Sequence, residues 1–331
     1  MSNINISTNF CGLEMNSPFM NASGAKCTIY DELSSLDKST CGAYISKSCT
    51  PDFRGGNPRI RYWDNETLSI NSMGLYNHGI QTYLDYSHYI SNTKPFFLSL
   101  AGLNLEDNMK MIYEYLNFEE NHLISGLELN FSCPNIIGKG QLGYDFEAID
   151  EYLRKIFETN LSVIPKGKLA IGIKLPPYYE PTHIETVSDI LQKYMRLDFI
   201  TCINSVANGL VIDTDSESVV IHPKKGLGGI GGSVVKPVAL ANVNQFYRNI
   251  GNRISIIGCG GISSGDDAFQ HILAGASVVS VGTQLMREGV LVFDRLNDEL
   301  RNIMEYKNYK RLSDFKGQLK FLEPNNDSYL Y

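Results

Sequence analysis

The sequence lacks the residue patterns that mark several classes of protein. None of its apolar runs approaches eighteen residues, so no transmembrane helix is predicted in the 331-residue chain. The formal net charge is −7 and lysines and arginines are not clustered, which makes nucleic acid and anionic membrane surfaces poor candidate partners. The residues after Met1 carry no basic stretch followed by an apolar one, so no secretory signal is predicted and we expect a cytoplasmic protein.

Metal centres and disulfide frameworks are also not indicated. The seven cysteines are an odd number, and no two of them have Cys-x-x-Cys spacing. This argues against a disulfide framework, a zinc site or an iron–sulfur cluster, and it fits a reducing compartment. The six histidines show neither His-Glu-x-x-His nor His-x-His spacing, so we expect no metal site.

Short apolar runs alternate with amphipathic segments along the chain. The eight runs are Phe19–Ser23, Ala43–Lys47, Phe96–Leu100, Leu127–Asn130, Ala170–Lys174, Phe199–Asn204, Ile254–Gly258 and Val278–Gly282. Several are apolar on both faces, as buried parallel strands are. This alternation predicts an α/β protein with a (β/α)8 barrel, folded as one domain over residues 1–331. We expect a hairpin over residues 1–18 that closes the bottom of the barrel, and a loose tail over residues 325–331.

The segments between the runs have helical spacing of apolar residues. One stripe contains Phe146, Ile149, Tyr152, Leu153, Ile156 and Phe157, and another contains Leu105, Met109, Ile112, Tyr113 and Leu116. Two stretches break the alternation, residues 49–76 and 205–236, and we expect both to pass over the carboxyl ends of the barrel strands. The second contains Gly226–Gly231, which fits Gly-x-Gly-x-x-Gly but lies late in the chain after a Pro-Lys-Lys segment. We interpret it as a flexible loop over the barrel mouth, not as a dinucleotide fingerprint.

Polar residues stand where the predicted strands end. Since barrel enzymes carry their active sites at the carboxyl ends of the strands, we expect these residues to share one site. Glycine-rich turns follow the last two strands, at Gly258–Gly265 and at Gly282–Thr283. In this fold such turns, with a helix N-terminus, are typical of a phosphate site, although tight turns without a ligand would look the same.

The segment Glu128–Asn135 carries the strongest indication of chemistry. Its cysteine, Cys133, follows the strand end at Asn130 and is held in an extended conformation by Pro134. A cysteine between hydrogen-bonding groups at a strand end is a candidate general base or nucleophile. The alternative is a small residue buried in a loop.

Together these motifs resemble the dihydroorotate dehydrogenases, and among them the soluble, fumarate-using branch (class 1A). The motifs that carry the resemblance are Pro18–Gly24, Ser46–Thr50, Asn71–Leu75, Leu129–Asn135, Asn204–Leu210 and Ala239–Val243. The resemblance implies an FMN-dependent oxidoreductase that converts (S)-dihydroorotate to orotate in de novo pyrimidine (UMP) biosynthesis. It also implies fumarate as the electron acceptor, succinate as its product, and a cytosolic homodimer.

The resemblance further implies a role for individual residues. The residues implied to border FMN are Ala22, Ser23, Lys47, Ser48, Asn130, Lys174, Ile203, Gly231, Cys259, Gly260, Gly261, Gly282 and Thr283. Those implied to bind the substrate are Lys47, Asn71, Met73, Gly74, Leu75, Asn130, Asn135, Asn204 and Ser205. Cys133 is the implied base, Ser132 would relay or orient the proton, and Lys174 would stabilise negative charge on the reduced flavin.

Elementary chemistry agrees with these implied roles. Dihydroorotate presents alternating N–H and C=O groups and one carboxylate. Asparagine amides match such an edge because they donate and accept hydrogen bonds without adding charge, and a lysine suits the carboxylate. The segment Asn135–Gly143 is rich in glycine and is expected to act as a lid.

Two other functions remain open from the sequence. The chain could be the catalytic subunit of an NAD-linked dihydroorotate dehydrogenase, which also uses a cysteine but needs a flavin and iron–sulfur partner subunit. It could instead be a barrel that binds a phosphorylated ligand without redox chemistry, which would leave Cys133 and Lys174 without a role. The membrane-bound, quinone-using branch is disfavoured because its base is a serine and it carries an amphipathic N-terminal extension.

Overall fold

A computed structural model describes residues 4–91, 93–118, 123–133, 138, 140–165 and 167–322 of the chain. The strands within these residues are β1 (Thr8–Phe10), β2 (Leu13–Met15), β3 (Phe19–Asn21), β4 (Tyr44–Ile45), β5 (Tyr62–Asp64), β6 (Leu68–Asn71), β7 (Phe96–Leu100), β8 (Ile124–Asn130), β9 (Ala170–Leu175), β10 (Phe199–Cys202), β11 (Val206–Gly209), β12 (Ile212–Asp213), β13 (Ser218–Val219), β14 (Gly228–Gly232), β15 (Ser255–Cys259) and β16 (Val278–Val281).

The α-helices of the described residues are α1 (Tyr30–Lys38), α2 (Ile80–Tyr86), α3 (Leu105–Leu116), α4 (Phe146–Phe157), α5 (Pro181–Gln192), α6 (Lys236–Ile250), α7 (Gly265–Ala274), α8 (Thr283–Glu288) and α9 (Val292–Tyr306). Short 3₁₀ helices occur at Leu142–Tyr144, Asn160–Val163, Pro223–Gly226, Ser233–Val235, Gly289–Leu291 and Leu312–Asp314. None of the helices in the described ranges is both long and apolar enough to cross a bilayer.

Eight strands form one parallel sheet that curls into a barrel. The strand order is β3-β16-β15-β10-β9-β8-β7-β4, and every neighbouring pair is parallel. The two ends of this sheet also touch, because the Asn21 side chain on β3 donates to Ile45 O on β4 at 2.9 Å and accepts from Ile45 N at 2.8 Å. The predicted (β/α)8 barrel is therefore confirmed, and each of its eight strands overlaps one of the eight apolar runs.

The bottom of the barrel is filled by aromatic side chains. The antiparallel hairpin of β1 and β2 inserts Phe10 beneath the strands, where its ring centroid lies 5.4 Å from that of Phe199 and 6.2 Å from that of Phe97. Phe10, Phe97 and Phe199 are buried. Because these rings fill the bottom of the barrel, we expect a ligand site at the opposite end, at the carboxyl ends of the strands.

A second sheet covers that opposite end. Its four antiparallel strands have the order β11-β14-β6-β5, so that both excursions from the barrel contribute to it. Gly228–Gly232 forms β14, paired with β6 on one side and β11 on the other. The predicted flexible loop is therefore wrong for these residues: they are a central strand, because hydrogen bonds to two neighbours compensate for the conformational entropy of a glycine run.

Candidate active site

A cavity of about 290 Å³ lies between the carboxyl ends of the barrel strands and the covering sheet. The predicted flavin and substrate residues that line it are Ala22, Ser23, Lys47, Ser48, Asn71, Met73, Gly74, Leu75, Asn130, Lys174, Ile203, Asn204, Ser205, Gly231, Cys259, Gly260, Gly261, Gly282 and Thr283. Cys133 lines the same cavity. Asn135 and three further residues of the predicted lid, at 136, 137 and 139, lie outside the described residues.

Two asparagines and a serine beside Cys133 form one hydrogen-bonded network. Asn130 Oδ1 accepts hydrogen bonds from the backbone N–H and the hydroxyl of Ser132, both at 3.1 Å. Asn204 Nδ2 donates to Ser132 Oγ at 2.9 Å and to Ser132 O at 3.1 Å. Ser132 is fully buried and does not line the cavity, so its part in the site is to fix the backbone that leads into Cys133.

Two buried lysines extend into the cavity without a carboxylate partner. Lys47, which follows β4, is 8 % exposed, and Lys174 on β9 is 3 % exposed. Within the described residues, neither ammonium group forms an ion pair or a side-chain hydrogen bond. Burial lowers the pKa of Lys47, the nearby thiols of Cys27 and Cys133 oppose this, and the positive charge of Lys174 adds to it. Since a buried unpaired cation is costly, the two lysines indicate a ligand with negative charge at two places.

A column of hydroxyl groups connects the cavity with a carboxylate inside the barrel. Asn130 Nδ2 donates to Ser48 Oγ at 3.1 Å, and Ser48 Oγ lies 2.9 Å from Ser99 Oγ. Ser99 reaches Glu128 Oε1 at 3.4 Å, and Thr201 donates to Glu128 Oε2 at 2.6 Å. Glu128 is 2 % exposed. The column supports the Asn130 side chain from inside the barrel. Sequence reasoning missed Glu128, and the only signal for it was a charged residue inside a predicted buried strand.

The glycine turn after β15 is shaped by close packing against α6. Gly261 has φ +76°, and a Cβ placed on it would lie 2.4 Å from Lys236 Cβ. Behind the turn, His271 of α7 is fully buried and its Nε2 lies 3.0 Å from Gly260 O. Burial lowers the pKa of His271 to about 4, so the neutral ring can donate this hydrogen bond. The histidine therefore fixes the backbone that was predicted to grip a phosphate.

The helix that follows this turn does not offer its own N-terminus to an anion. Asp267 accepts from the backbone N–H groups of Ser263 and Ser264, each at 2.9 Å, and Ser264 Oγ accepts from Asp267 N. Gly265 N donates to Glu299 Oε2 at 2.6 Å. Burial opposes ionisation of Asp267, but the hydrogen bond from Lys236 and those from the serines outweigh it and lower its pKa. The predicted helix terminus is therefore wrong for α7, because carboxylates of the protein already fill that position. The N-terminus of α8, at Gly282 and Thr283, has no side-chain cap and lines the cavity.

The covering sheet supplies lining residues that sequence reasoning did not identify. These are Tyr62, Glu66, Ser69, Ile230 and, on α8, Arg287. The Tyr62 hydroxyl is buried and has no hydrogen-bond partner among the described residues, and burial together with Asp64 raises its pKa to about 12. The alternating pattern of Leu68–Asn71 was the one signal in the sequence that a strand would bring this segment over the site.

Comparison with known proteins gives a consistent family. Residues 5–304 match the family model described as dihydroorotate dehydrogenase. A curated relative from Trypanosoma cruzi, "Dihydroorotate dehydrogenase (fumarate)", is 47% identical over 92% of this chain and 95% of its own length. A second, "Dihydroorotate dehydrogenase A (fumarate)" from Lactococcus lactis subsp. lactis, is 45% identical over 96% of this chain and 100% of its own.

Solved structures show the same fold at lower sequence identity. A ligand-free dihydroorotate dehydrogenase from Eimeria tenella has a TM-score of 0.78 and 21% identity, and the match covers 95% of this chain and 91% of that one. A second structure of that protein, in complex with ferulenol, has a TM-score of 0.73 at 20% identity. These likenesses concern the barrel and its attached elements.

Proposed function

The chain belongs to the dihydroorotate dehydrogenase family, and we propose that it oxidises (S)-dihydroorotate to orotate with bound FMN and transfers the electrons to fumarate. The observation that carries this proposal is the cavity lined by Cys133 and by two buried lysines, Lys47 and Lys174, which have no ion-pair partner among the described residues. A base and two cations are what the oxidation of an anionic dihydropyrimidine requires. The family is one of flavoproteins, and the identity of the flavin as FMN is part of the proposal.

The lining of the cavity fits FMN. Gly260 and Gly261 line the cavity with their backbone, and the positions where a Cβ would stand are packed against Ala239 and Lys236 of α6. Thr283 adds a hydroxyl, and Tyr62 a buried hydroxyl that lacks a partner among the described residues. Lys174 supplies a cation for the edge of the ring system that becomes negative on reduction. When bound, FMN supplies a two-electron acceptor beside the substrate.

The protein's own groups provide the remaining requirements. Cys133 is the proposed base for the proton at C5 of dihydroorotate, and Lys47 the partner of its carboxylate. The side chains of Asn71, Asn130 and Asn204 line the cavity and match the alternating donors and acceptors of the pyrimidine. Ser132, the residue before Cys133, is held in position by hydrogen bonds to two of these amides, Asn130 and Asn204.

The test is the visible spectrum of the purified protein under anaerobic conditions. We expect a yellow protein whose flavin band bleaches when dihydroorotate is added and returns when fumarate is added. A folded protein that cannot be loaded with FMN would rule the proposal out. If dihydroorotate bleaches the flavin but fumarate does not restore it, the acceptor is wrong, and turnover that requires NAD and a co-purifying subunit would identify the NAD-linked branch.

A homodimer in the cytoplasm is a further part of the proposal. The hairpin of β12 and β13 exposes apolar side chains, with Leu210 49%, Ile212 60% and Val219 41% exposed, which supports a partner on that side. None of the seven cysteines forms a disulfide, which supports a reducing compartment. Sedimentation equilibrium should give about twice the mass of one chain, 37.0 kDa. A monomer at micromolar concentration would contradict the dimer.

A further inference from the structure

One arginine connects the covering sheet to the helix that begins at the predicted phosphate site. Arg287 lies on α8, one turn after Thr283. Its Nε donates to Asp64 Oδ2 at 2.7 Å, and its Nη1 donates to Glu66 O at 3.0 Å. Its Nη2 donates to the carbonyl oxygens of Asn65 and Leu68. All three guanidinium nitrogens thus donate hydrogen bonds to the turn of the β5–β6 hairpin (Tyr62–Asn71).

The hairpin forms one wall of the cavity, which Tyr62, Glu66, Ser69 and Asn71 line. Its turn is closed internally, since Asn65 Oδ1 accepts from the backbone N–H groups of Thr67 and Leu68 at 3.1 and 3.0 Å. Ser69 lies 2.7 Å, oxygen to oxygen, from Thr283. At the other end the hairpin leads into Asn71, one of the proposed substrate residues. A movement of the turn would therefore open the phosphate end of the cavity.

We propose that Arg287 is the residue that retains the cofactor: its guanidinium holds the β5–β6 hairpin closed over the phosphate end of the FMN site. FMN enters and leaves when the bonds between Arg287 and the turn break and the hairpin lifts. This inference rests on the proposed function for the identity of the ligand. It assigns Arg287 to cofactor exchange and not to the oxidation of substrate.

The exposure of these groups suits a bond that opens reversibly. The Arg287 side chain is 24% exposed and that of Asp64 27%, so water and salt reach the pair. The planar guanidinium contacts one carboxylate and three carbonyl groups of a single turn, an arrangement that the single ammonium group of a lysine cannot reproduce. Among the described residues, the hairpin is also attached by the pairing of β6 with β14 and by the contact between Ser69 and Thr283. At the turn itself, Thr67 O accepts hydrogen bonds from Ser233 Oγ at 2.9 Å and from Val234 N at 3.4 Å.

The experiment measures the release of FMN from the holoenzyme of Arg287→Ala, Arg287→Lys and Asp64→Asn. Release is followed by the rise in flavin fluorescence after dilution. We expect Arg287→Ala to release FMN about 10- to 100-fold faster than the wild type, the ratio given by the loss of one or two charge-assisted hydrogen bonds. Arg287→Lys should fall between the two, and Asp64→Asn should lose its effect in the Arg287→Ala background.

Arg301→Ala is the matched control, because Arg301 pairs with Asp298 on the exposed side of α9 and does not line the cavity. It should release FMN at the wild-type rate. Higher salt should speed release from the wild type and have less effect on Arg287→Ala. Equal release rates for wild type and Arg287→Ala, or equal acceleration by Arg301→Ala, would overturn the inference. A wild type that binds no FMN would instead refute the proposed function.

Discussion

At the scale of single residues, the site places the group proposed to accept a proton, the Cys133 thiol, and the two positive charges of Lys47 and Lys174 on different side chains of one cavity. Cys133 lies on a backbone segment held by Ser132, whose hydroxyl and N–H both bond to Asn130. The amides of Asn71, Asn130 and Asn204 line the same cavity and add hydrogen-bonding groups without adding charge. The positive charges come from Lys47 and Lys174, so that the thiol and the cations can act on different parts of one bound molecule.

Replacing Cys133 by serine tests the proposed base. Cys133→Ser should keep FMN and orotate binding but slow the reduction of the flavin by dihydroorotate by roughly 10²–10⁴-fold, the usual contribution of a general base. Anaerobic stopped-flow absorbance measures this rate. Cys11→Ser, at a partly exposed cysteine in the hairpin beneath the barrel, is the control. An unchanged rate in Cys133→Ser would remove the thiol from this role.

The buried lysine predicts an alkaline loss of orotate affinity. Burial lowers the pKa of Lys47, so its ammonium loses the proton at a lower pH than an exposed lysine. Above that pKa the orotate carboxylate has a neutral partner, and the dissociation constant should rise with pH. Lys47→Ala should bind orotate roughly 10- to 100-fold more weakly near neutral pH and lose most of this pH dependence. Spectral titration of the bound flavin with orotate measures both, and a flat wild-type profile would contradict the assignment.

The sequence predicted those site residues that follow a strand within a recognisable motif, such as Asn130, Lys174 and Gly261. It did not predict Glu128 or Arg287, because their roles depend on partners far along the chain, or His271, whose contact with Gly260 depends on how α7 folds back against the turn. Arg287 meets a hairpin more than 200 residues earlier. Such contacts are set by the packing of the whole barrel, which a local pattern does not contain.

At the scale of elements, the conformation of the turn after β15 is fixed by the two helices that pack against it, α6 and α7. His271 holds Gly260 O, while α6 packs so closely that Gly261 can carry no side chain. The N-terminus of α7 is capped by Asp267 and Glu299. The open groups of this region are therefore those of the turn, and the helix serves to anchor it.

A methyl group at Gly261 should disrupt this turn. In Gly261→Ala the new Cβ would lie 2.4 Å from Lys236 Cβ and 2.8 Å from its Cα, at φ +76°. We expect FMN affinity to fall by at least about 10-fold, since strain of this kind costs ~1–3 kcal/mol and the turn must shift. Gly251→Ala is the control, with φ +59° and nothing within 4 Å of the new atom. Titration of the apoproteins with FMN compares the two, and equal affinities would contradict the expectation.

The buried face was predicted correctly for α4 but only in part for α3, and the reason is physical. The stripe of α4 is confirmed, with Ile149, Leu153 and Ile156 buried. On α3 the predicted face was wrong in part: Tyr113 is 51% exposed, whereas Met111 and Tyr115 are buried. Apolar residues lie on more than one side of α3, so spacing alone does not decide which side packs on the barrel.

At the scale of the molecule, the barrel has a layered interior. Aromatic rings close the bottom, the hydroxyl column around Glu128 crosses the middle, and the lysines and amides stand at the top. The apolar periodicity of the strands predicted the barrel itself. It did not predict that the two excursions would pair into one covering sheet, since β6 and β14 are more than 150 residues apart.

The buried histidine links the stability of the whole fold to pH. Burial lowers the pKa of His271 to about 4 from an ordinary value of 6.5. Between these values the unfolded chain binds a proton that the folded chain excludes, so stability is lost as the pH falls from about 6.5 towards 4. By linkage this loss is about 2 kcal/mol between roughly pH 7 and pH 5. Urea unfolding of the apoprotein at the two pH values measures it.

His271→Asn should remove most of that difference, although it lowers stability at both pH values. His222→Asn changes an exposed histidine and should leave the difference as in the wild type. Because acidic residues also titrate in this range, the informative quantity is the change between variants and not the wild-type slope alone. If His271→Asn keeps the full pH dependence, the ring behind the phosphate turn is not the group that makes this fold sensitive to acid.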